Sequence, residues 1–186
     1  MLEIQMYPDE INLISQIVDN LHDNAKIVEW GSGGSTMLFL SKLKPNQKLI
    51  SIEHNQTWFD KVDQETKDHP KRSQLTQVFI PLDADLWGYG IPSEENPCFT
   101  NNYTNPEKSH NVSIFDADLI LVDGIARGAC LATIRSKLSN DKAIVLLHDY
   151  SDGKHSSSFI RTEWYQWAVN LYSGIEVTNT LALLSL

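Results

Sequence analysis

The feature that most constrains the fold of this chain is a short apolar strand that breaks into a glycine-rich turn and continues as a helix. The run reads Ile27-Val28-Glu29-Trp30-Gly31-Ser32-Gly33-Gly34-Ser35-Thr36. Glycine at positions 31 and 33 lets the backbone turn tightly and approach a ligand where a Cβ atom would collide. The helix that begins near Ser35 directs its free N–H groups to the same place. We therefore expect a nucleotide-like ligand to bind at this turn.

An acid immediately before the turn narrows the choice of ligand. Glu29 would repel a pyrophosphate, and the dinucleotide fingerprint G-x-G-x-x-G would place its third glycine where this chain has Thr36. A ligand with a cationic amino-acid group suits this position better than a dinucleotide does.

A second apolar strand that ends in an acid follows, with the sequence Leu49-Ile50-Ser51-Ile52-Glu53-His54. Glu53 lies about 20 residues beyond Gly31, which is the spacing at which an acid after the second strand reaches the hydroxyl groups of a ribose. Each motif is a weak signal alone, and the ordered pair is a stronger one.

The ordered pair resembles the cofactor motifs of the class I S-adenosylmethionine (SAM) methyltransferases. The resemblance implies that SAM is the cofactor, that its methionine half lies over the glycine turn and that Glu29 lies near its ammonium group. It also implies a polar residue near the adenine after the third strand, for which we choose Asp83, although Asp85 could serve as well. The expected cofactor-binding residues are Glu29, Gly31, Ser32, Gly33, Ser35, Glu53, His54 and Asp83.

The remaining sequence alternates helical and strand patterns, which predicts a parallel sheet covered on both faces. Strands are expected at about 26–30, 48–53, 75–80, 117–123 and 142–148, and helices from Pro8 and near 34–43, 56–68, 125–138 and 157–171. Two further strands joined at Asn179 end the chain. The resemblance implies one Rossmann-like α/β domain over residues 1–186, with a mostly parallel seven-stranded sheet and a C-terminal antiparallel pair.

Composition excludes several classes of protein. The chain has 186 residues, of which 41% are apolar, enough for one domain with a full core. A formal charge of −9 argues against a nucleic-acid or anionic-membrane partner. No apolar stretch reaches the length of a membrane span and no signal peptide is recognisable, so we expect a soluble, cytoplasmic protein. Two cysteines exclude a disulfide scaffold and a cysteine zinc cluster.

One long segment, at about 81–115, interrupts the alternation. It is rich in proline and asparagine and carries aromatic residues, including Trp87 and Tyr89. We interpret it as a substrate-facing loop, because loops after strands lie at the ligand edge of an open α/β sheet; a disordered linker is the alternative. Trp87, Tyr89, Arg127 and His155 are the residues expected to contact the substrate.

Titratable residues end the fourth and fifth predicted strands: Asp123 ends one, and His148 with Asp149 ends the other. Small class I methyltransferases with an Asp-Gly…Arg motif and a His-Asp motif resemble this pattern, with Arg127 as the basic residue. The resemblance implies that Asp123 is the base that removes a proton from the acceptor, and His148 and Asp149 are the other expected catalytic residues. A structural role is an equal alternative for His148.

A metal-dependent reaction is the less favoured form. Some class I O-methyltransferases bind Mg²⁺ through an Asp after the fourth strand and an Asp-Asn or Asp-Asp pair after the fifth. Asp123 and Asp149 match the first two positions, but Tyr150 stands where the pair would end. Asp152 could substitute, since Mg²⁺ often retains several waters.

Three classes of function follow from these observations. The first is a SAM-dependent methyltransferase acting on a hydroxyl of a small neutral acceptor, with a sugar of a glycan as the first choice. The second is an N-methyltransferase of an amine or a peptide, and the third is a non-catalytic Rossmann-like binding domain. Fold alone does not choose among them.

Overall fold

Seven strands form one sheet in the computed structural model, which describes residues 2–81, 102–151 and 166–186. The strands are β1 (Lys26–Trp30), β2 (Lys48–Glu53), β3 (Leu75–Phe79), β4 (Leu119–Val122), β5 (Ile144–Leu147), β6 (Gly174–Thr178) and β7 (Leu181–Ser185). The helices are α1 (Pro8–Asn20), α2 (Gly34–Lys42), α3 (Gln56–Thr66), α4 (Glu107–His110), α5 (Arg127–Lys137) and α6 (Gln166–Val169), with a 3₁₀ turn at Arg72–Gln74.

The order of the strands across the sheet is β3-β2-β1-β4-β5-β7-β6. The pairs from β3 to β5 are parallel, and β7 is antiparallel to both of its neighbours. The predicted α/β class, with a mostly parallel sheet closed by a C-terminal antiparallel pair, is confirmed. The order reverses between β1 and β4, and ligands bind beyond the carboxyl ends of the strands at such a point.

The predicted elements differ from the observed ones mainly at their ends. Strand β4 begins at Leu119 rather than at 117, and the carboxylate of Asp118, just before it, accepts the backbone N–H of Lys26 at 2.8 Å. No helix was predicted within 81–115. That prediction was wrong, because the short helix α4 lies in this segment. The predicted helix at 157–171 lies partly outside the described residues, and its described part ends at Val169.

Alternation along the strands divides the core into two layers. Ile27, Leu121 and Leu146 pack with α1 and α2 on one face, whereas Val28 and Val122 pack with α5 and α6 on the other. Because successive side chains of a strand point to opposite faces, residues two positions further along return to the same face. Among the described residues no helix combines the length and the apolar character needed to cross a membrane.

Candidate active site

A cleft of about 550 Å³ opens at the carboxyl ends of β1, β2 and β4, where the sheet order reverses. Its size is within the usual range for a small-molecule site. It lies among four pieces of chain: the N-terminal segment, the glycine-rich turn, the start of α3 and the turn after β4. The residues that line it are Glu3, Ile4, Gln5, Met6, Gly31, Ser32, Gly33, Gly34, Ser35, Glu53, His54, Asn55, Thr57, Trp58, Asp123, Gly124 and Ile125.

The glycine-rich turn is packed tightly on both sides. Gly31 has a φ of +91°, and a Cβ atom there would lie 2.7 Å from the Cα atom of Gly124 in the turn after β4. A Cβ atom on Gly34 would lie 2.5 Å from the carbonyl oxygen of Glu3 in the N-terminal segment. Both positions therefore need glycine, and the cleft depends on the backbone approaching this closely.

Glu29 lies beneath the turn and does not line the cleft. Glu29 pairs with Ser51 and Leu121 across the sheet, so it lies two residues short of the level that Glu53 and Asp123 reach. Its carboxylate is fully buried and accepts the hydroxyl groups of Ser35 at 2.8 Å and Thr36 at 2.5 Å. Its contact with the ammonium group of a ligand stays a prediction.

Burial is the main cause of the raised pKa of Glu29. Desolvation raises the pKa of this carboxyl to about 7, and the hydroxyl bonds from Thr36 and Ser35 oppose the rise only in part. The hydroxyl oxygen of Thr36 also accepts the backbone N–H of Gly33 at 2.9 Å. Glu29 thus supports the shape of the turn from below.

Glu53 holds two turns together at the rim of the cleft. One carboxylate oxygen accepts the backbone N–H of Ser32 at 3.0 Å and the hydroxyl of Ser32 at 3.1 Å. The other accepts the backbone N–H groups of His54 and Asn55, each at 2.8 Å, and lies 3.0 Å from Nδ1 of His54. Burial opposes ionisation of Glu53, but the hydrogen bonds from His54 and Asn55 keep its pKa below the usual value.

Sequence reasoning did not anticipate the N-terminal segment or Trp58 as parts of the cleft. The indole N–H of Trp58 donates to the carbonyl oxygen of Ser32 at 2.5 Å, and Nζ of Lys61 lies 4.4 Å from the ring centroid. Trp58 is 37% exposed and lines the cleft. Its position directly after the second acidic strand was the signal that could have found it.

A second cluster of charges lies beside the cleft, after β4 and β5. The guanidinium group of Arg127 bridges two acids: one of its nitrogens lies 3.2 Å from Oδ1 of Asp123 and 2.8 Å from Oδ2 of Asp149. Arg127 also donates to the carbonyl oxygens of Asp123 and Gly124. Arg127, which was predicted to contact the substrate, thus forms ion pairs with two of the predicted catalytic acids, Asp123 and Asp149.

Backbone strain accompanies this cluster. Ala126, which precedes Arg127, has a φ of 53°, and Asp149 has a φ of 55°. Residues other than glycine rarely adopt the left-handed region, and such positions concentrate at functional sites. Left-handed backbone therefore occurs at Asp149 and at the residue directly before Arg127.

His148 lies between acids rather than in the cleft. Its Nδ1 is 2.9 Å from Oδ1 of Asp123, and its Nε2 is 3.4 Å from Oε2 of Glu10 in α1. Burial lowers the pKa of the ring, but the hydrogen bonds to Asp123 and Glu10, together with the charge of Asp149, outweigh burial and raise the pKa to about 10. Each ring nitrogen already faces a carboxylate, so the geometry favours the structural alternative for His148.

Asp123 is the predicted catalytic residue that reaches the cleft. Its Oδ1 is engaged by His148 and Arg127. No donor in the described ranges 2–81, 102–151 and 166–186 bonds to its Oδ2. Asp83, Trp87, Tyr89 and His155 lie outside the described residues.

No family model and no curated protein sequence matches the chain. Solved structures do: a methyltransferase-like protein from Silicibacter pomeroyi is similar with a TM-score of 0.70 and 18% identity, over 98% of this chain and 87% of that one. The chain has the class I methyltransferase fold. An O-methyltransferase from Bacillus cereus, solved with S-adenosylhomocysteine (SAH), is similar with a TM-score of 0.63 and 14% identity, over 97% of this chain and 83% of that one.

A third neighbour is TomG from Streptomyces achromogenes, an O-methyltransferase of tomaymycin synthesis solved with SAM. It is similar with a TM-score of 0.59 and 15% identity, over 97% of this chain and 81% of TomG. Identities this low establish the fold alone, and the chemistry of this chain must be argued from its own residues.

Proposed function

We propose that this class I domain is a SAM-dependent O-methyltransferase in which Asp123 removes the proton of the acceptor hydroxyl. The observation that carries the proposal is that the glycine-rich turn, Glu53 and Asp123 line one cleft. The residues that would hold the cofactor, the glycine-rich turn and Glu53, thus lie next to Asp123, which would accept the proton. Neighbours of the same fold were solved with SAM or with SAH.

The residues present fit SAM. Gly31 and Gly34 have no room for a Cβ atom, so the turn brings its backbone and the N-terminus of α2 to the cleft, where a carboxylate such as that of a methionine moiety is favoured. Glu53 would accept ribose hydroxyls, and we expect them to replace the Ser32 hydroxyl, whose hydrogen bond of 3.1 Å is the longest that Glu53 accepts within the described residues. His54 would lie beside the ribose, and Asp83 near the adenine remains part of this proposal.

SAM, when bound, supplies a methyl group made electrophilic by a sulfonium. The protein then needs to place an acceptor oxygen near that carbon and remove its proton. Oδ2 of Asp123 is suited to receive the proton, since Oδ1 already accepts bonds from His148 and Arg127. The acceptor oxygen would take the methyl group of SAM, and Asp123 would hold the proton that this oxygen loses.

The acceptor we would test first is a sugar hydroxyl. This choice rests on the aromatic and asparagine-rich sequence of 81–115, including Trp87 and Tyr89, since such side chains stack on sugar rings and bond their hydroxyls. The acids on the cleft, Glu3 among them, disfavour an anionic acceptor.

The same acidic lining gives a second candidate, methylation of an amine, because carboxylates attract a cationic substrate. An amine needs less help from a base than a hydroxyl does. A screen with radiolabelled SAM against methyl glycosides, catechols and primary amines separates the two. If calorimetry shows no SAM binding, the domain is a non-catalytic relative of the fold.

Asp123→Asn provides the decisive variant. The amide keeps the shape of the side chain but cannot take up the proton, so kcat on a hydroxyl acceptor should fall by roughly 10² to 10⁴. The dissociation constant of SAM should change little. Equal rates for Asp123→Asn and wild type would exclude Asp123 as the base and favour the amine reaction.

A further inference from the structure

Glu10 is a buried acid that the proposed reaction does not yet use. It lies in the first turn of α1 and is completely buried. Its Oε1 accepts the backbone N–H of Thr180 at 2.6 Å and the hydroxyl of Thr180 at 2.8 Å. Its Oε2 accepts the backbone N–H of Tyr7 at 2.8 Å and lies 3.4 Å from Nε2 of His148.

Helix capping accounts for only one of these contacts. A glutamate in the first helical turn commonly bonds back to the backbone at the helix start, as Glu10 does to Tyr7, and this needs no burial. The bonds to Thr180 tie Glu10 to the turn between β6 and β7, and the contact with His148 ties it to the end of β5. Burial opposes ionisation of Glu10, yet His148, Tyr7 and Thr180 lower its pKa to about 2, so it stays charged.

Two carboxylates therefore face the two nitrogens of one imidazole ring. Glu10 faces Nε2 from α1 and Asp123 faces Nδ1 from the end of β4. The ring is 5% exposed, so water does not compete for either nitrogen. Among the residues that the structure describes, the other groups around it are Asp149, 3.6 Å from Nδ1, the hydroxyl of Thr180, 3.5 Å from Nε2, and Arg127, which bridges Asp123 and Asp149.

We propose that Glu10 is a positioning residue that acts through His148: it fixes the imidazole ring, and the ring fixes Oδ1 of Asp123, leaving Oδ2 for the acceptor proton. The inference rests on the proposed role of Asp123. A ring held only by Asp123 could rotate or lose a proton, and a partner on the second nitrogen prevents both, as outer partners do for functional histidines elsewhere.

The first test measures the protonation of the His148 ring and needs neither SAM nor an acceptor. In the ¹⁵N spectrum of histidine-labelled wild-type protein at pH 8, both ring nitrogens of His148 should be protonated. In Glu10→Gln the midpoint of the His148 titration should fall by about 1 to 3 pH units, because an opposite charge within hydrogen-bond range is lost. Glu176→Gln, at an exposed acid on β6, is the matched control and should leave the ring unchanged.

The second test reads catalysis with a methyl glycoside as the acceptor. Glu10→Gln should lower kcat roughly 10- to 100-fold with little change in the KM for SAM. In a His148→Asn background Glu10→Gln should have no further effect, because the two residues act in one chain.

Several outcomes would overturn the inference. A neutral His148 ring in wild type at pH 8 does so even if Glu10→Gln fails to fold, and so does an unshifted titration in Glu10→Gln. Additive effects of the two substitutions would show that Glu10 does not act through His148. If Asp123→Asn itself leaves transfer unchanged, the proposed function has failed, and the ring spectra still decide whether Glu10 holds His148.

Discussion

Two acidic residues on the same face of the sheet have different surroundings because one lies deeper below the cleft than the other. Glu29 and Asp123 end neighbouring strands on the face covered by α1 and α2, yet Glu29 is fully buried while Asp123 lines the cleft. The register of β1 and β4 sets this difference. Two residues of strand are about 7 Å, which is enough to move a carboxylate from the rim of a site into its floor.

Substitution of Glu29 tests its buried carboxyl. Its pKa is raised from 4.5 to about 7, so the folded state favours the neutral form, and the stabilisation present at low pH is lost as the pH rises through 7. Glu29→Gln is neutral at every pH. The stability of wild type relative to Glu29→Gln should therefore fall by about 3 kcal/mol between pH 4.5 and pH 8.

Urea unfolding across this pH range measures the effect, and Glu176→Gln controls for the loss of a surface charge. Parallel stability profiles of wild type and Glu29→Gln would show that Glu29 ionises normally in the folded protein.

Arg127 determines how the acids after β4 and β5 respond to metal ions. Its guanidinium bridges Asp123 and Asp149, so Mg²⁺ would have to displace a cation that is already hydrogen-bonded. We expect neither Mg²⁺ nor EDTA to change the melting temperature or the rate of methyl transfer. In Arg127→Ala the two carboxylates lose that cation, and Mg²⁺ should then raise the melting temperature. Loss of wild-type turnover in EDTA, restored by Mg²⁺, would contradict this expectation.

At the scale of elements, the turn from β4 into α5 stores strain that a substitution can release. Ala126 has a left-handed backbone and lies at the N-cap of α5. Glycine tolerates this conformation and is accepted at an N-cap, so Ala126→Gly should stabilise the protein by about 1 kcal/mol.

The matched control is Ala132→Gly, inside the same helix, which should destabilise the protein by about 1 kcal/mol. Thermal melts should therefore move in opposite directions, by roughly 2 to 4 °C each. A lower melting temperature for Ala126→Gly would mean that the strain of the turn is offset by contacts of the Ala126 side chain.

The sequence predicted the sheet well and its supporting contacts poorly. Apolar runs ending in Glu53, Asp123 and His148 located the carboxyl ends of three strands, because a strand pattern and its terminating polar residue are local signals. Glu10 and Thr180 were missed, since their contact joins residues 170 apart. The short helix α4 was missed because one turn carries no periodic pattern.

At the scale of the whole molecule, the N-terminal segment and α1 contact parts of the fold that are distant in sequence. The N-terminal segment lines the cleft through Glu3 and Met6, and α1 reaches the β6–β7 turn through Glu10. The central strands alone therefore do not complete the cleft. Ligand binding should consequently stabilise the molecule as a unit rather than one loop of it.

Thermal melts with SAM test this prediction. At a SAM concentration of 100 times its dissociation constant the folded state gains about 2.7 kcal/mol, which corresponds to roughly 5 to 10 °C for a chain of this size. NADH at the same concentration should give no shift, because Glu29 and Thr36 do not suit a pyrophosphate.

Glu53→Ala should melt lower without ligand, since Glu53 accepts bonds from Ser32, His54 and Asn55. Its SAM-induced shift, measured from its own unliganded midpoint, should fall to between about two thirds and about a tenth of the wild-type shift at the same SAM concentration, because losing a charged hydrogen-bond acceptor weakens binding by roughly 1 to 3 kcal/mol. An undiminished shift in this variant would place the ribose away from Glu53, and a shift with NADH would assign the cleft to a different nucleotide.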